Sequence, residues 1–483
     1  MFAVSLPRVD AMFSPRCVCS IAALLALALL GGCTVGPDYR RPQAPVPAVF
    51  KEAAGWKPAN PDDAADRGDW WAVYQDPTLS ALIAQVKVNN QNVAAYAAQY
   101  RQALALVRGS QADQLPTLTG TLSSTRSQSG TGSTSSQASA TQSGVSTAHS
   151  ATLSLAWEAD LWGKLRRTVE ENRASADASR AQLASATLSA QSSLAQDYFE
   201  LRVLDQQIAL YQETIQAYQR YVDVTRDKFE AQLTTGADLA SAQTQLEGAH
   251  ASLLEAQWQR AQYEHAIALL IGKAPAGFSL AVDDQWRYRV PATPVGVPSR
   301  LLERRPDIAA AERDMAAANA AVGVATAAYY PDLTLSASGG YQGSVFSHLV
   351  NVPNRFWSIG PSLSGTLLDF GATRATVAQA EASYDAKVAT YRQTVLTGVG
   401  EVEDYLVQLR TQAPELDVRQ RQVSAAAESA RITYDQYEAG KIDYLDVATT
   451  QATLLSARQE LLSLVGTQMG TSVKLIAALG GGW

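Results

Sequence analysis

Cysteine, histidine and aromatic residues are scarce in this chain, and each shortage closes off a class of function. Its three cysteines, Cys17, Cys19 and Cys33, all fall in the first 33 of 483 residues. Nothing downstream is left to form a disulfide or a thiolate metal site. The four histidines, His149, His250, His265 and His348, have no metal-ligand spacing to one another. No Gly-x-Ser-x-Gly nucleophile elbow occurs. The "GTG" at Gly130 sits in a Ser- and Thr-rich stretch without the strand-turn-helix context of a phosphate loop. An enzyme is not expected. A formal net charge of −7 with interspersed signs offers no basic face, which disfavours nucleic acid. There is also no run of about eighteen apolar residues, so the mature chain is not expected to cross a membrane as helices. What remains is rich in Ala, Gln, Ser and Leu, with 18% charged and 8% aromatic residues, which suits long helices better than compact globules.

The N-terminus carries an address. Arg8 and Arg16 precede the apolar run Ile21 to Leu30, too short to cross a hydrocarbon core of about 30 Å and ordered as a signal peptide is. The run ends in "LGGC", which looks like a bacterial lipobox, with cleavage leaving Cys33 as a diacylated N-terminus. Thr34 rather than Asp follows it, which by resemblance to lipoprotein sorting rules favours the outer membrane. Residues 1–32 are therefore expected to be a signal peptide and 33–75 a lipidated N-terminal segment. The lipid on Cys33 is covalent, and no cofactor is expected.

The rest is a tandem duplication. "KFEAQLTTGADLASAQTQL" (Lys228 to Leu246) aligns without gaps with "QYEAGKIDYLDVATTQATL" (Gln436 to Leu454) at an offset of 208, pairing Phe229 with Tyr437 and Asp238 with Asp446. Upstream, "EADLWGKLR" corresponds to "LLDFGATR", Asp160 with Asp369 and Gly163 with Gly371, and "LPTLTGTLS" to "YPDLTLSAS". The first repeat is expected over 76–280 and the second over 301–483, with a linker at 281–300. Each runs helix, strand, polar loop, strand, long helix, tight turn, helix. Lys164 to Thr235 contains no glycine or proline, so it can run as one helix of about 100 Å. Leu194, Leu201, Ile208, Ile215, Val222 and Phe229 recur every seven residues, a coiled-coil seam. Gly398, Gly400 and Pro414 predict a break or small subdomain in the second long helix. Thr235 with Asp238, and Asp443 with Asp446, have capping-box spacing at the two turns.

Four segments alternate with period two, near 117–125, 151–158, 332–342 and 356–367. Their apolar sides carry residues such as Leu118, Leu153, Leu335 and Trp357, and the opposite sides are nearly all Ser, Thr and Gly. The pattern fits transmembrane barrel strands, and it also fits an ordinary half-buried antiparallel sheet. Signal and lipobox favour the barrel. Four strands cannot close in lipid without leaving backbone groups unpaired. Two chains would give a filled interior, whereas three would give twelve strands and a lumen.

The mature chain resembles the TolC family of outer-membrane efflux channels, specifically its acylated, OprM-like (NodT-type) branch. The resemblance rests on "CTVGPDYRRP", "DWWAVYQDPTLSALI" at Asp69, "LLERRPDIAAAERDMAAANAAVGVATAAYYPDLTL" at Leu301, "DLWGK", "DFGATR", "YEAGKIDYLDV" and the terminal "LGGGW". It implies a mixed α and β membrane protein: a homotrimeric twelve-stranded β-barrel, four strands per chain, continuous with a coiled-coil periplasmic tunnel. It also implies a passive efflux conduit in the outer membrane of a Gram-negative bacterium, working with a periplasmic adaptor (membrane fusion) protein and an inner-membrane RND-type pump. Family positions at the periplasmic gate match Tyr437, Gly440 and Asp446, with Asp238 as a possible first-hairpin counterpart. The sequence departs from the family where Thr449 replaces a second acidic residue and Ile442 a basic one, with Lys441 beside it. Type I protein secretion and a non-channel coiled-coil lipoprotein are the alternative functions. The exported substrate, the pump and the adaptor are not named by the sequence.

Overall fold

The computed structural model describes residues 34–44, 46–47, 50–51, 67–128, 145–291 and 304–481. The expected signal peptide and Cys33 lie outside the described residues. The order of elements is α1 (Pro77–Asn89), α2 (Gln91–Ala112), β1 (Thr117–Gln128), β2 (Val145–Ala159), α3 (Lys164–Glu230), α4 (Gly236–Leu270), α5 (Pro306–Ala327), β3 (Asp332–Gly343), β4 (Arg355–Ser364), α6 (Ala372–Glu438) and α7 (Tyr444–Ala478). The chain forms two compact units. One comprises Met1–Pro42, Arg101–Asp177 and Arg313–Ala389, and the other Gln43–Tyr100, Ala178–Glu312 and Thr390–Trp483.

The first unit holds a single antiparallel sheet in the order β1-β2-β3-β4. Its register lines up the alternation of all four strands. Leu118 lies opposite Leu155, Leu155 opposite Ala337, and Ala337 opposite Ile359. Successive side chains point to opposite faces, so the apolar residues of every strand share one face. The other face is polar, with Ser123 and Ser150 hydroxyls 2.7 Å apart and Ser127 and Ser146 2.9 Å apart across the β1–β2 pair. The apolar face is bare: Leu118 is 67% and Trp357 74% exposed. Three strand limits differ from expectation. β1 runs on to Gln128, β2 begins at Val145, and β4 stops at Ser364, short of Leu367. The residue before Ser364's partner Asp332 is Pro331, which has no N–H for the ladder and lies 2.9 Å from where a Gly365 Cβ would project, so the ladder ends there.

At each strand-to-helix passage an aspartate caps the helix. Asp160 Oδ1 accepts from Leu165 N–H at 3.1 Å, and Oδ2 from Arg166 N–H at 2.9 Å. Asp369 accepts from Gly371 N–H at 2.9 Å and Thr373 N–H at 2.7 Å. Hydrogen bonds from Thr373 and Gly371 hold the Asp369 carboxyl down to about 2. Gly163 and Gly371 have φ of 83° and 97°, the left-handed region that makes the corner. The segment just after Cys33 is tied to the first corner. Val35 N–H donates to Trp162 O at 3.0 Å, and the buried Arg167 pairs with Asp38 at 2.8 Å and Glu170 at 2.7 Å.

The second unit buries its apolar residues where the first exposes them. Seam residues Leu194, Leu201 and Val222 are all but inaccessible, each contributing about 1.5–3 kcal/mol by burial. Leu194 and Leu201 pack with Trp70, Leu79, Ile83, Met469 and Val473, and Val222 with Leu246, Tyr437 and Val447. Asp76 begins α1, accepting from Thr78 and Leu79 N–H at 2.9 and 3.0 Å through one oxygen and from Tyr198 O–H at 2.7 Å through the other. Asp205, wholly buried, binds Arg202 at 2.8 Å and Arg260 at 2.6 Å and accepts from Asp283 N–H at 3.1 Å, clamping the segment after α4. α7 alone among the described helices is long and apolar enough to cross a membrane, yet Val465, Met469, Val473 and Ile476 are core.

The expected break in the second long helix does not occur: α6 is continuous through Gly398, Gly400 and Pro414. Gly398 is a packing residue, because the Arg305 guanidinium crosses 3.3 Å from where its Cβ would project. Pro414 removes one hydrogen bond from an exposed face, where water can satisfy the freed carbonyl.

Candidate functional site

Four of the five residues singled out in the sequence lie at the tips of the two helical hairpins, α3–α4 and α6–α7. The tips share a backbone plan. At the first, Leu233 N–H donates to Lys228 O at 2.7 Å and Gln232 N–H to Phe229 O at 2.9 Å. At the second, Lys441 N–H donates to Gln436 O at 2.9 Å and Gly440 N–H to Tyr437 O at 3.0 Å. Both are Schellman ends turning on a left-handed residue. Gln232 has φ 59° and Gly440, 208 positions on, φ 70°. Gly440 therefore has a backbone reason to be glycine.

The starts of the return helices differ. Thr235 and Asp238 make the expected capping box: Asp238 N–H donates to Thr235 Oγ1 at 3.2 Å and Thr235 N–H to Asp238 Oδ2 at 3.0 Å. The hydroxyls of Thr235 and Thr234 also donate to that oxygen, at 2.7 and 2.8 Å, and hold the carboxyl below its ordinary range. The second box does not form. Asp443 makes no side-chain cap bond, and Asp446 N–H reaches only the Asp443 carbonyl at 3.3 Å. The reason is chemical: at the first tip the Thr235 hydroxyl also donates to the Asp238 carboxylate and draws the two side chains together, whereas two aspartates in these places repel. Asp446 is left exposed, its carboxylate without a partner among the described residues.

Between the hairpins lies Tyr437, 3% exposed. Its hydroxyl is 3.0 Å from Thr225 Oγ1, the Lys228 ammonium sits 3.6 Å over its ring centroid, and the same ammonium donates to the Tyr437 carbonyl. Tyr444 meets Tyr437 edge-on at 5.7 Å and donates to Gln245 Oε1 at 3.2 Å. Gln451 Nε2 donates to Tyr221 O–H at 2.8 Å, beside a cleft of about 280 Å³ whose lining includes Tyr218 and Arg220. Burial pushes Lys228 down and Tyr437 up, and Tyr218 up to about 12. The desolvated ammonium is stabilised by the ring face, an interaction that strengthens as water leaves. Sequence reasoning missed Thr225 and Lys228. They extend the Val222 face of α3 at i+3 spacing, but they lie 212 and 209 residues from Tyr437, and the counterpart of Lys228 is the uncharged Gln436.

The sheet, hairpins and tips together have the fold of solved outer-membrane channels. The structure matches the outer-membrane channel OprN with a TM-score of 0.83 and 30% identity over 93% of this chain and 100% of that one. It matches CusC, solved in work on transmembrane channel formation, with a TM-score of 0.81 and 25% identity over 93% and 100%. The sequence profile described as outer membrane efflux protein fits residues 82–273 and 297–481. The probable efflux pump outer membrane protein TtgC of Pseudomonas putida is 31% identical over 483 residues, 95% of this chain and 96% of the relative. The cation efflux system protein CusC of Escherichia coli O6:H1 is 28% identical over 473 residues, 96% and 99%. The chain belongs to the outer membrane efflux protein family, whose role is transport and not catalysis.

Proposed function

We propose that three copies of this chain close a twelve-stranded barrel in the outer membrane and form a passive conduit for small molecules. The single observation that carries this is the sheet register, which gathers the apolar residues of β1 to β4 onto one exposed face. Water cannot accommodate such a face, nor lipid its two open edges, unless further copies pair with them. The polar face then lines the lumen. Residues 1–32 are removed as a signal peptide, and 33–75 form a segment acylated at Cys33. Its continuation at Thr34 to Asp38 is tied to the corner where β2 ends, which suits a lipid entering the membrane beside the barrel. The repeats span 76–280 and 301–483, joined by 281–300.

In this reading the hairpin tips form the periplasmic gate. Tyr437 holds the second hairpin against the first, Gly440 turns its tip, and Asp446 faces the opening, where three like charges favour cations. Asp238 serves its own helix. The conduit works with a periplasmic adaptor and an inner-membrane RND-type pump. Drugs, toxic compounds or ions are the substrate class, in keeping with relatives named for toluene, antibiotic and cation efflux. The test is direct. Protein extracted from membranes should run as a trimer that heating converts to monomer, and it should conduct in planar bilayers; monomers that coat vesicles without conductance would contradict the reading.

A further inference from the structure

The four strands and the sequence that joins each pair are uneven in charge. Residues 117–157 and 333–368 contain no aspartate or glutamate in a chain that has 46, and their charged residues are Arg126 and Arg355. The acids nearest the sheet, Glu158, Asp160 and Asp332, sit at its helix-proximal end and are paired there with Lys164 and Arg166 at 3.1 to 3.3 Å. At the opposite end neither arginine has an ion-pair partner among the described residues, and both are exposed.

Register assigns both arginines to the apolar face. Arg126 is an even-numbered residue of β1, in phase with Leu118 and Leu122; Arg355 lies opposite Tyr341, in phase with Leu335 and Ala337. Each is eight residues from the apolar leucine at the other end of its own strand, Leu118 or Leu363. Eight residues at about 3.4 Å, tilted by about 40°, climb roughly 20 Å, close to the height of an outer-membrane apolar band. A lipid-facing arginine is costly at mid-depth and nearly free at the interface, so both stand where they are tolerated.

The loop between β3 and β4 bends over the same face. Phe346 meets His149 edge-on at 5.5 Å, and His149 pairs with Gly343 on the apolar side. The Asn354 side chain lies 2.9 Å from where a Gly343 Cβ would project and donates to the carbonyls of His348 and Leu349 at 2.8 and 3.3 Å. This pins a compact loop whose Phe346, Val350 and Val352 are exposed.

We propose that Arg355, beside this loop, and Arg126, on the opposite edge strand that a neighbouring copy's β4 would meet in the barrel, form a binding site for the phosphates of an acylated glycolipid in the outer leaflet. Guanidinium groups match phosphate bidentately, the leucine band inward of them meets the acyl chains, and the site continues that lipid-facing band. The inference rests on the barrel reading above.

Native mass spectrometry of the detergent-extracted trimer, titrated with diphosphoryl lipid A, its dephosphorylated form and phosphatidylglycerol, tests it. Wild type should prefer diphosphoryl lipid A to both others. R126Q and R355Q should each weaken that binding about fivefold, and the pair about 25-fold, with conductance unchanged. Equal binding of diphosphoryl and dephosphorylated lipid A by wild type would overturn the site, and that comparison needs no variant to fold. Equal binding by wild type and the double variant in a conducting trimer would overturn it too. A wild type that neither trimerises nor conducts would instead overturn the barrel reading.

Discussion

The two hairpin tips descend from one sequence, and they have diverged in chemistry while keeping their geometry. Both turn on a left-handed residue with the same pair of closing hydrogen bonds. At the first tip the acidic residue is used up: Asp238 accepts three hydrogen bonds from Thr234 and Thr235 and begins its helix. At the second tip Asp446 is unpartnered among the described residues, and the burial has moved to the aromatic position. Tyr437 is enclosed, whereas its counterpart Phe229 is 43% exposed. A duplicated position is thus not a duplicated role. The first tip is a stop, and the second combines a latch with a free charge.

The largest expected effect tests the latch. Tyr437→Ala should lower the stability of the solubilised trimer by about 3 kcal/mol or more, and Phe229→Ala by under about 1 kcal/mol, since a cavity costs in proportion to what surrounded the ring. Comparable losses in thermal unfolding would erase the distinction. Tyr437→Phe should cost about 1 kcal/mol, the worth of the Thr225 hydrogen bond.

The acidic pair comes next. Asp238→Ala removes a cap and should cost about 1 kcal/mol, while Asp446→Ala should cost under about 0.5 kcal/mol. The Asp238 carboxyl is held below its ordinary range in the folded chain. Its stabilisation is therefore fully present above the unfolded value near 4 and is lost as pH falls through the folded value. Denaturation midpoints of wild type and Asp238→Ala should accordingly converge in acid, and a gap that stays constant below about pH 4 would deny the cap its role.

The smallest effect concerns the turn residues. Gln232→Gly should stabilise the first tip by about 0.5–1 kcal/mol, by relieving an L side chain in the left-handed region. Gly440→Ala should destabilise the second by a similar amount. Urea midpoints moving in the same direction would contradict the shared geometry.

Much of this was legible in the sequence, because it rests on periodicity and local chemistry. The heptads from Leu194 to Val222, the corners at Asp160 and Asp369, and the first capping box are short-range patterns with short-range causes. Family membership was legible too, from motifs spread over the chain. What failed depended on distant partners. Gly398 looked like a break because the sequence does not show Arg305 crossing it. Asp443 with Asp446 looked like a box by spacing, while repulsion between two carboxylates with no hydroxyl to bridge them decided otherwise. Thr225 and Lys228 carry no local pattern that points to a tyrosine two hundred residues away.

The central claim is that one tip holds a channel's charge and the other does not, and ion selectivity tests it most directly. Reversal potentials in a salt gradient should show wild type favouring cations, Asp446→Asn losing much of that preference, and Asp238→Asn retaining it. Loss of selectivity with Asp238→Asn, or none with Asp446→Asn, would contradict the account.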